Sequence, residues 1–541
     1  MSLSILLPGI SPSVQPLTFN QMNLHKATYS KIVTGSMALG LLFAGCVKTS
    51  LNIKPVGTYT TATYWRNEDD VLAGINGIYN VLTQEEGVGH NLYAFDDASD
   101  DIAIDGDHPD MWAIERFTAD ATAYQLHPTW SWAYEQIARA NNALIYVPKV
   151  PVMDEDIRKR SMGEAYFLRA HGYWVLNQIF GEVPLILEQN VLDGQYNVPK
   201  KSVDSIRIQI ESDLLQAADM LPEKYDAADK GRVTKGSAWG LLTKLYMAWE
   251  KLDKAITYGT MVTSNANYAL ASKYSDNFSL GTQESNTEIL FAVWNKNNFN
   301  NSPINIYFTP RAWGGWGFHH PTENFVSQFE AGDERKRVTV VSVGDSVPGQ
   351  MQLTKIEASD AYQMFAGKEG TYTGRMLPGN SPTGYVISKY TAFNPDGSGN
   401  LDGDLKQPLL RTADVYLLVA EAKIRTSGAG SGDAEIKAVR ERAGLTAITG
   451  ATINDLIHER RVELGGENTR FQDLVRWDKA GVVNLDTIVG KPKYASTLPP
   501  YNHTATLPAR TFTRPKNYYW PIPQVVIDES KGVVTQNPNY K

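Results

Sequence analysis

The sequence of 541 residues predicts a mostly α-helical protein, a TPR-like helical-repeat scaffold interrupted by a large loop-rich insertion with short β-strands. Three observations predict it. Apolar residues recur at helical spacing in segment after segment from residue 67 onward. One of those segments carries the opening spacing of the tetratricopeptide repeat. Between residues 265 and 407 the helical signal fades into Gly, Asn, Ser, Pro and Asp, with short β-like runs such as EILFAVW (288–294) and TGYVISKY (383–390).

The N-terminal stretch reads differently from all that follows. Lys26 and Lys31 precede an apolar run from Ile32 to Ala44, too short for a bilayer span of about 20 residues. The run ends in Ala44-Gly45-Cys46, and small residues just before a cysteine resemble the lipobox of bacterial lipoproteins. Phe43 holds the place where that motif prefers Leu. The residues before Met22 fit no signal-peptide plan, so a start at Met22 is expected. Residues 1–45 therefore read as a signal peptide and 46–63, rich in Thr, Lys, Pro and Gly, as a tether lipidated at Cys46. Acyl chains contribute about 0.8 kcal/mol per buried CH₂, so two or more anchor a protein stably. Cys46 is the single cysteine, which excludes an internal disulfide and any zinc site needing two thiolates.

Helices are expected in order along 64–264. NEDDVLAGINGIYNVL (67–82) opens with a capping residue and acids in its first turn, and Val71, Ile75, Ile78 and Leu82 share a face. Further helices are read over 129–147, 158–185 (ending at Gly181, with Pro184 beyond) and 204–222. In AWGLLTKLYMAWEKLDKAITYG, Trp239, Leu242, Tyr246 and Ala255 have the repeat spacing W-x2-L-x3-Y-x8-A. Thr243 stands where the repeat has Gly, and Gly259 where it has Phe. After the insertion (265–407), helices return in 408–541, over 411–425, 435–444 and 452–477; the last opens with a Thr452…Asp455 capping pair.

Chemistry is bounded mainly by exclusion. The net charge of −8 gives no basic excess to neutralise phosphates, which argues against nucleic acid. HERRVE (458–463) lacks the second His of a zincin, and no G-x-S-x-G, P-loop or G-x-G-x-x-G is present. Two Asp-rich stretches, 96–110 and 395–404, raise calcium as a weak option, and both read better as solvated loops. No other cofactor is expected. The aromatic density says more: Trp294 to His320 holds seven Phe, Tyr and Trp, against about three for an average stretch of that length. Trp313 and Trp316 flank two glycines, so they either pack the insertion onto the scaffold or form platforms for a sugar ring. Trp112, after the first Asp-rich stretch, poses the same choice.

Seven blocks in order resemble the SusD/RagB family of bacterial outer-membrane nutrient-binding lipoproteins. They run from ARANNAL and GEAYFLRAHGYWVLNQIFGEVPL through GRVTKGSAWGLLTKLYM, HHPTENFVSQFEAGDERK and LLRTADVYLLVAEAK to INDLIHERRVELGGENTRFQDLVRW and YYWPIPQVVIDESKGVVTQNPNY. The resemblance implies about four TPR-like helix pairs under a loop-rich ligand face. It implies a non-catalytic surface protein that captures an oligosaccharide (a peptide in some relatives) and passes it to a SusC-like TonB-dependent transporter. Trp112, Trp313 and Trp316 match the regions that form the family's glycan platform. The expected location is the outer membrane, facing outward, although Val47, Lys48 and Thr49 replace the acids that often follow the cysteine in surface lipoproteins. Two other readings compete, a TPR-type protein-assembly scaffold and a surface glycoside hydrolase with paired carboxylates.

Overall fold

Helix-start chemistry is realised where the sequence places it. Asn67 caps α1 (Glu68–Asn80) by accepting from the Asp70 N–H, and Val71, Ile75 and Ile78 turn inward together. A short α2 (Asn91–Asp96), strand β1 (Ile102–Ile104) and α3 (Pro109–Glu115) lead to α4 (Leu126–Tyr146), which begins three residues before its apolar pattern does. The side chain of Asp154 accepts from Asp156 and Ile157 N–H at the start of α5 (Glu155–Phe180), a cap worth about 1 kcal/mol. Gly181, at φ +74°, ends it. The computed structural model describes residues 64–89, 91–296, 304–310, 315–345, 381–390 and 404–540. Contacts divide the chain into Met1–Thr60 and Thr61–Lys541, and the described residues belong to the second unit. Cys46, Trp313 and most of the second Asp-rich stretch lie outside the described residues.

The scaffold grows by packing each helix on the next. α4 packs on α5, α5 on α6 (Val203–Met220), α6 on α7 (Lys235–Ala248), and α7 on α8 (Leu252–Thr263). Buried Arg169 of α5 ties three of them together. Its Nε and Nη2 donate to Asp213 of α6 at 2.8 and 2.7 Å, and its Nη1 donates to Asn141 of α4 at 2.8 Å. The fork geometry satisfies both carboxylate oxygens at once, which a buried charge requires.

Between α8 and the returning helices, short strands pair in twos. β2 (Ile289–Val293) is followed by α9 (Ile304–Phe308), β3 (His319–Pro321), β4 (Val340–Ser342), β5 (Tyr385–Ile387) and β6 (Gln407–Arg411). All pairings here are antiparallel: β1 with β3, β2 with β6, β4 with β5. The longer helices α10 (Thr412–Ser427), α11 (Asp433–Arg442), α12 (Ile453–Leu464) and α13 (Arg470–Lys479) then follow, with short helices at Asp486–Val489 and Gln524–Glu529 after them. α10 packs back on α8 as well as on α11 and α12. The architecture is the expected one, mostly α with small two-stranded sheets.

Two readings need correction. The single helix expected over 452–477 is two. Gly466 (φ +78°) and Asn468 (φ +56°) take left-handed backbone that an α-helix cannot contain, so α12 stops and α13 starts anew beyond them. The capping box at its start, Thr452 with Asp455, is present. The stretch 96–110 is not a solvated loop throughout: Asp96, Asp97, Asp100 and Asp101 are buried.

Candidate ligand-binding face

The strand pairing joins two stretches far apart in the sequence. β1 and β3 run antiparallel with Ile102 opposite Pro321 and Ile104 opposite His319. Asp105 N–H donates to Phe318 O at 2.8 Å and extends the ladder. Upstream of β3 the chain lies back over α9, with Trp316 N–H donating to Ile306 O (2.6 Å) and Phe318 N–H to Tyr307 O (2.8 Å). Gly315 permits this approach, because a Cβ there would sit 2.0 Å from Thr309 O.

Trp316 stands on this strap and is 43% exposed, more than any other tryptophan among the described residues. Its ring meets buried Tyr307 edge-on, centroids 5.1 Å apart at 76°, and lies 5.8 Å from Phe318. The Tyr307 hydroxyl donates to the Glu85 carboxylate, fixing the supporting ring. Phe318 in turn meets the His108 ring at 4.7 Å. His108 opens α3, and one turn along it lies half-buried Trp112, with the Arg116 guanidinium 5.6 Å from its ring centroid. Trp112 and Trp316 thus belong to two stretches that the fold connects through Phe318 and His108. Asp107, whose side chain is almost fully exposed, and His108 add hydrogen-bonding groups beside the rings.

The acidic stretch forms the floor of this face. Asp100 receives Arg461 (2.7 Å) and Arg470 (3.0 Å), and Asp101 receives Arg461 (2.7 Å). Burial alone would raise the Asp100 carboxyl, but the two guanidiniums outweigh it and hold it well below the usual range. Lys493 Nζ donates to Asp97 O (2.6 Å), to Ile102 O and to Glu115 (2.7 Å). Arg510 donates to the carbonyls of Ala98, Ser99 and Glu115, each at 2.8 Å. Cations from the C-terminal part therefore hold β1 in place, and β1 holds the strap that carries Trp316.

The arrangement offers a partly exposed aromatic plane beside hydroxyl-binding groups. Among the described residues no cluster of His, Cys, Asp and Glu could hold a metal ion. Sequence reasoning singled out Trp112 and Trp316 but not Tyr307, Phe318 or His108, the rings that connect and support them. The aromatic density from Trp294 to His320 was the available signal, and it does not separate an exposed ring from a buried one.

Comparison with known proteins matches the whole body of the chain. The SusD family profile covers residues 287–540, and a profile described as starch-binding associating with outer membrane covers residues 60–247. A SusD-like protein of Bacteroides ovatus is 27% identical over 468 residues, covering 81% of this chain and 80% of the relative. The starch-binding protein SusD of Bacteroides thetaiotaomicron is 27% identical over 385 residues, covering 61% of this chain and 68% of its own. A solved laminarin-binding SusD-like protein superposes with a TM-score of 0.69 at 27% identity, over 88% of this chain and 100% of that one. With both parts matched and the fold shared across nearly all of a solved relative, the chain belongs to the SusD/RagB family.

Proposed function

We propose that this protein captures a glycan on the cell surface and delivers it to a SusC-like TonB-dependent transporter in the outer membrane, to which Cys46 anchors it through lipid. It is a binding protein and not an enzyme. The observation that carries the reading is Trp316, an exposed indole on a backbone strap held at both ends, edge-on against a buried tyrosine. Isolated exposed apolar residues are ordinary, but an exposed indole with its own aromatic support and polar neighbours is a platform. A pyranose stacked there would gain about 0.5–1.5 kcal/mol by analogy with aromatic pairs. Starch-binding and laminarin-binding relatives support a glucan as the first ligand to try. Trp112 is proposed as a second contact, and Trp313 as a third from the same Gly-rich stretch.

The test is calorimetric titration with laminarihexaose and maltohexaose. Trp316→Ala is expected to weaken binding several-fold while shifting the melting temperature little, because the indole is substantially exposed. A large fall in melting temperature with unaltered affinity would reassign Trp316 to a packing role.

A further inference from the structure

Away from the aromatic face, a cavity of about 50 Å³ opens between the end of α5, α6, α13 and the segment 518–520. Of the face described above it shares only Asp96, the first residue of the acidic stretch. Three cations line it: Arg476 of α13 is paired with Glu421 and Asp473, whereas Arg207 of α6 and Lys479 of α13 are not fully matched.

The Arg207 side chain is only 14% exposed, and among the described residues its sole ionic contact is one long approach, Nη1 to Asp204 at 3.4 Å. Asp204 is itself mostly exposed, so solvent competes for it. Arg207 Nε is buried without a hydrogen-bond partner. Among the described residues only its Nη1 makes a hydrogen bond, and a guanidinium takes a carboxylate in charge-assisted hydrogen bonds. A buried guanidinium with a single long ionic contact gains from a further acceptor.

Lys479 is exposed as a residue, yet its ammonium is folded over two rings, 4.8 Å from the Tyr518 centroid and 4.1 Å from that of Tyr519. No carboxylate among the described residues pairs with it. Burial against the rings and the like charge of Arg207 both act to lower its pKa. Asp96 also lines the cavity, but one oxygen accepts from Phe471 N–H (2.8 Å), and burial pushes its carboxyl up to about 8. Burial thus favours its neutral form. The amides of Gln178 and Gln472 complete a polar lining.

We propose that this cavity binds a small carboxylate, seated on the guanidinium of Arg207 with Lys479 closing over it from the rim. Its volume admits an acetate-sized group and not a sugar ring. The carboxylate comes either from a free short-chain acid or from the acid group of a uronic sugar whose ring stays outside.

The probes are acetate and glucuronate, titrated against the folded protein at constant ionic strength, with ¹³C-acetate line broadening and calorimetry as readouts. Saturable binding of either is expected, and the stronger of the two names the source. Arg207→Gln should weaken it at least about tenfold, the loss of a charge-assisted pair. Lys479→Gln should weaken it several-fold, and Trp316→Ala should leave it unchanged. Absence of saturable binding of both probes, or equal binding by wild type and Arg207→Gln, overturns the proposal. If Arg207→Gln fails to fold, Lys479→Gln at the exposed rim decides alone, and unchanged affinity there overturns it.

Discussion

His171 lies on the inner face of α5, edge-on to Phe291 at 5.0 Å and to Trp132 at 6.0 Å. Burial, with a smaller contribution from Lys244, pushes its pKa down to about 3, against about 6.5 in an unfolded chain. A depressed folded pKa means the unfolded state takes up the proton first as pH falls. The stability from a neutral His171 is thus whole above about pH 6.5 and lost progressively towards pH 3. Denaturation at pH 7 and at pH 4.5 should show wild type losing more stability than His171→Gln, by up to about 1.4 kcal/mol per pH unit. Equal losses would mean that His171 is already charged in the folded protein. The acidic run 96–101 shows what single residues do not disclose. Its aspartates were visible, but Arg461 and Arg510, which neutralise or bridge them, stand 360 and 412 positions away. Charge is local in sequence and compensation is not.

Helices were legible because capping residues and apolar spacing act within a few residues. Starts at Asn67 and Thr452 are each marked by a side chain that accepts from the first turn, whereas α5, read from 158, starts at Glu155 with Asp154 as its cap. The break between α12 and α13 was the exception, and the Gly465-Gly466 pair was its only signal within a pattern that otherwise continued. The repeat-like pair α7–α8 explains its own departures. A Cβ on Gly259 would lie 2.3 Å from Val419 Cγ2 of α10 and 3.2 Å from Thr243 Cγ2. Thr243, where the repeat has Gly, and Gly259, where it has Phe, face each other, and the bulk has moved from one helix to its neighbours. Gly259→Phe should therefore destabilise by at least about 1–3 kcal/mol through overpacking. Adding Thr243→Gly should not restore stability, because Val419 still blocks the ring. Adding Val419→Ala as well should recover part of it. Urea denaturation of the series checks this, and full rescue by Thr243→Gly alone would place the clash elsewhere.

At the scale of the whole molecule, an ordered series of blocks made the family legible, whereas the way the loop-rich part is fastened to the helices was not. The fastening is a buried ion network centred on α12 and the turn after it. Arg411, at the end of β6, donates to Glu467 (2.8 Å twice), Glu463 (2.9 Å) and Glu288 (2.5 Å), the residue just before β2. Arg442 of α11 bridges the same Glu288 and Glu463 at 2.8 and 2.5 Å. Arg335, beyond β3, reaches Glu459 and Glu463 at 2.5 and 3.2 Å. Burial would raise Glu463, but Arg442, Arg411 and Arg335 outweigh it and hold the carboxyl down at about 2. Glu459, Glu463 and Glu467 recur every fourth residue, a spacing that keeps successive carboxylates on one side of a helix, although Glu467 itself stands beyond the break. Removing one partner from such a network costs about 3–5 kcal/mol, since the remaining charges stay buried. Arg411→Met should accordingly loosen the β2–β6 pair, which closes the base of the loop-rich part, before it loosens α1 or α4. Hydrogen exchange should show amides of 289–293 and 407–411 losing protection while those of 68–80 and 126–146 keep theirs. A uniform loss across all four stretches would mean that the body opens only as one unit, and that the network sets global stability rather than fastening the ligand face to its scaffold.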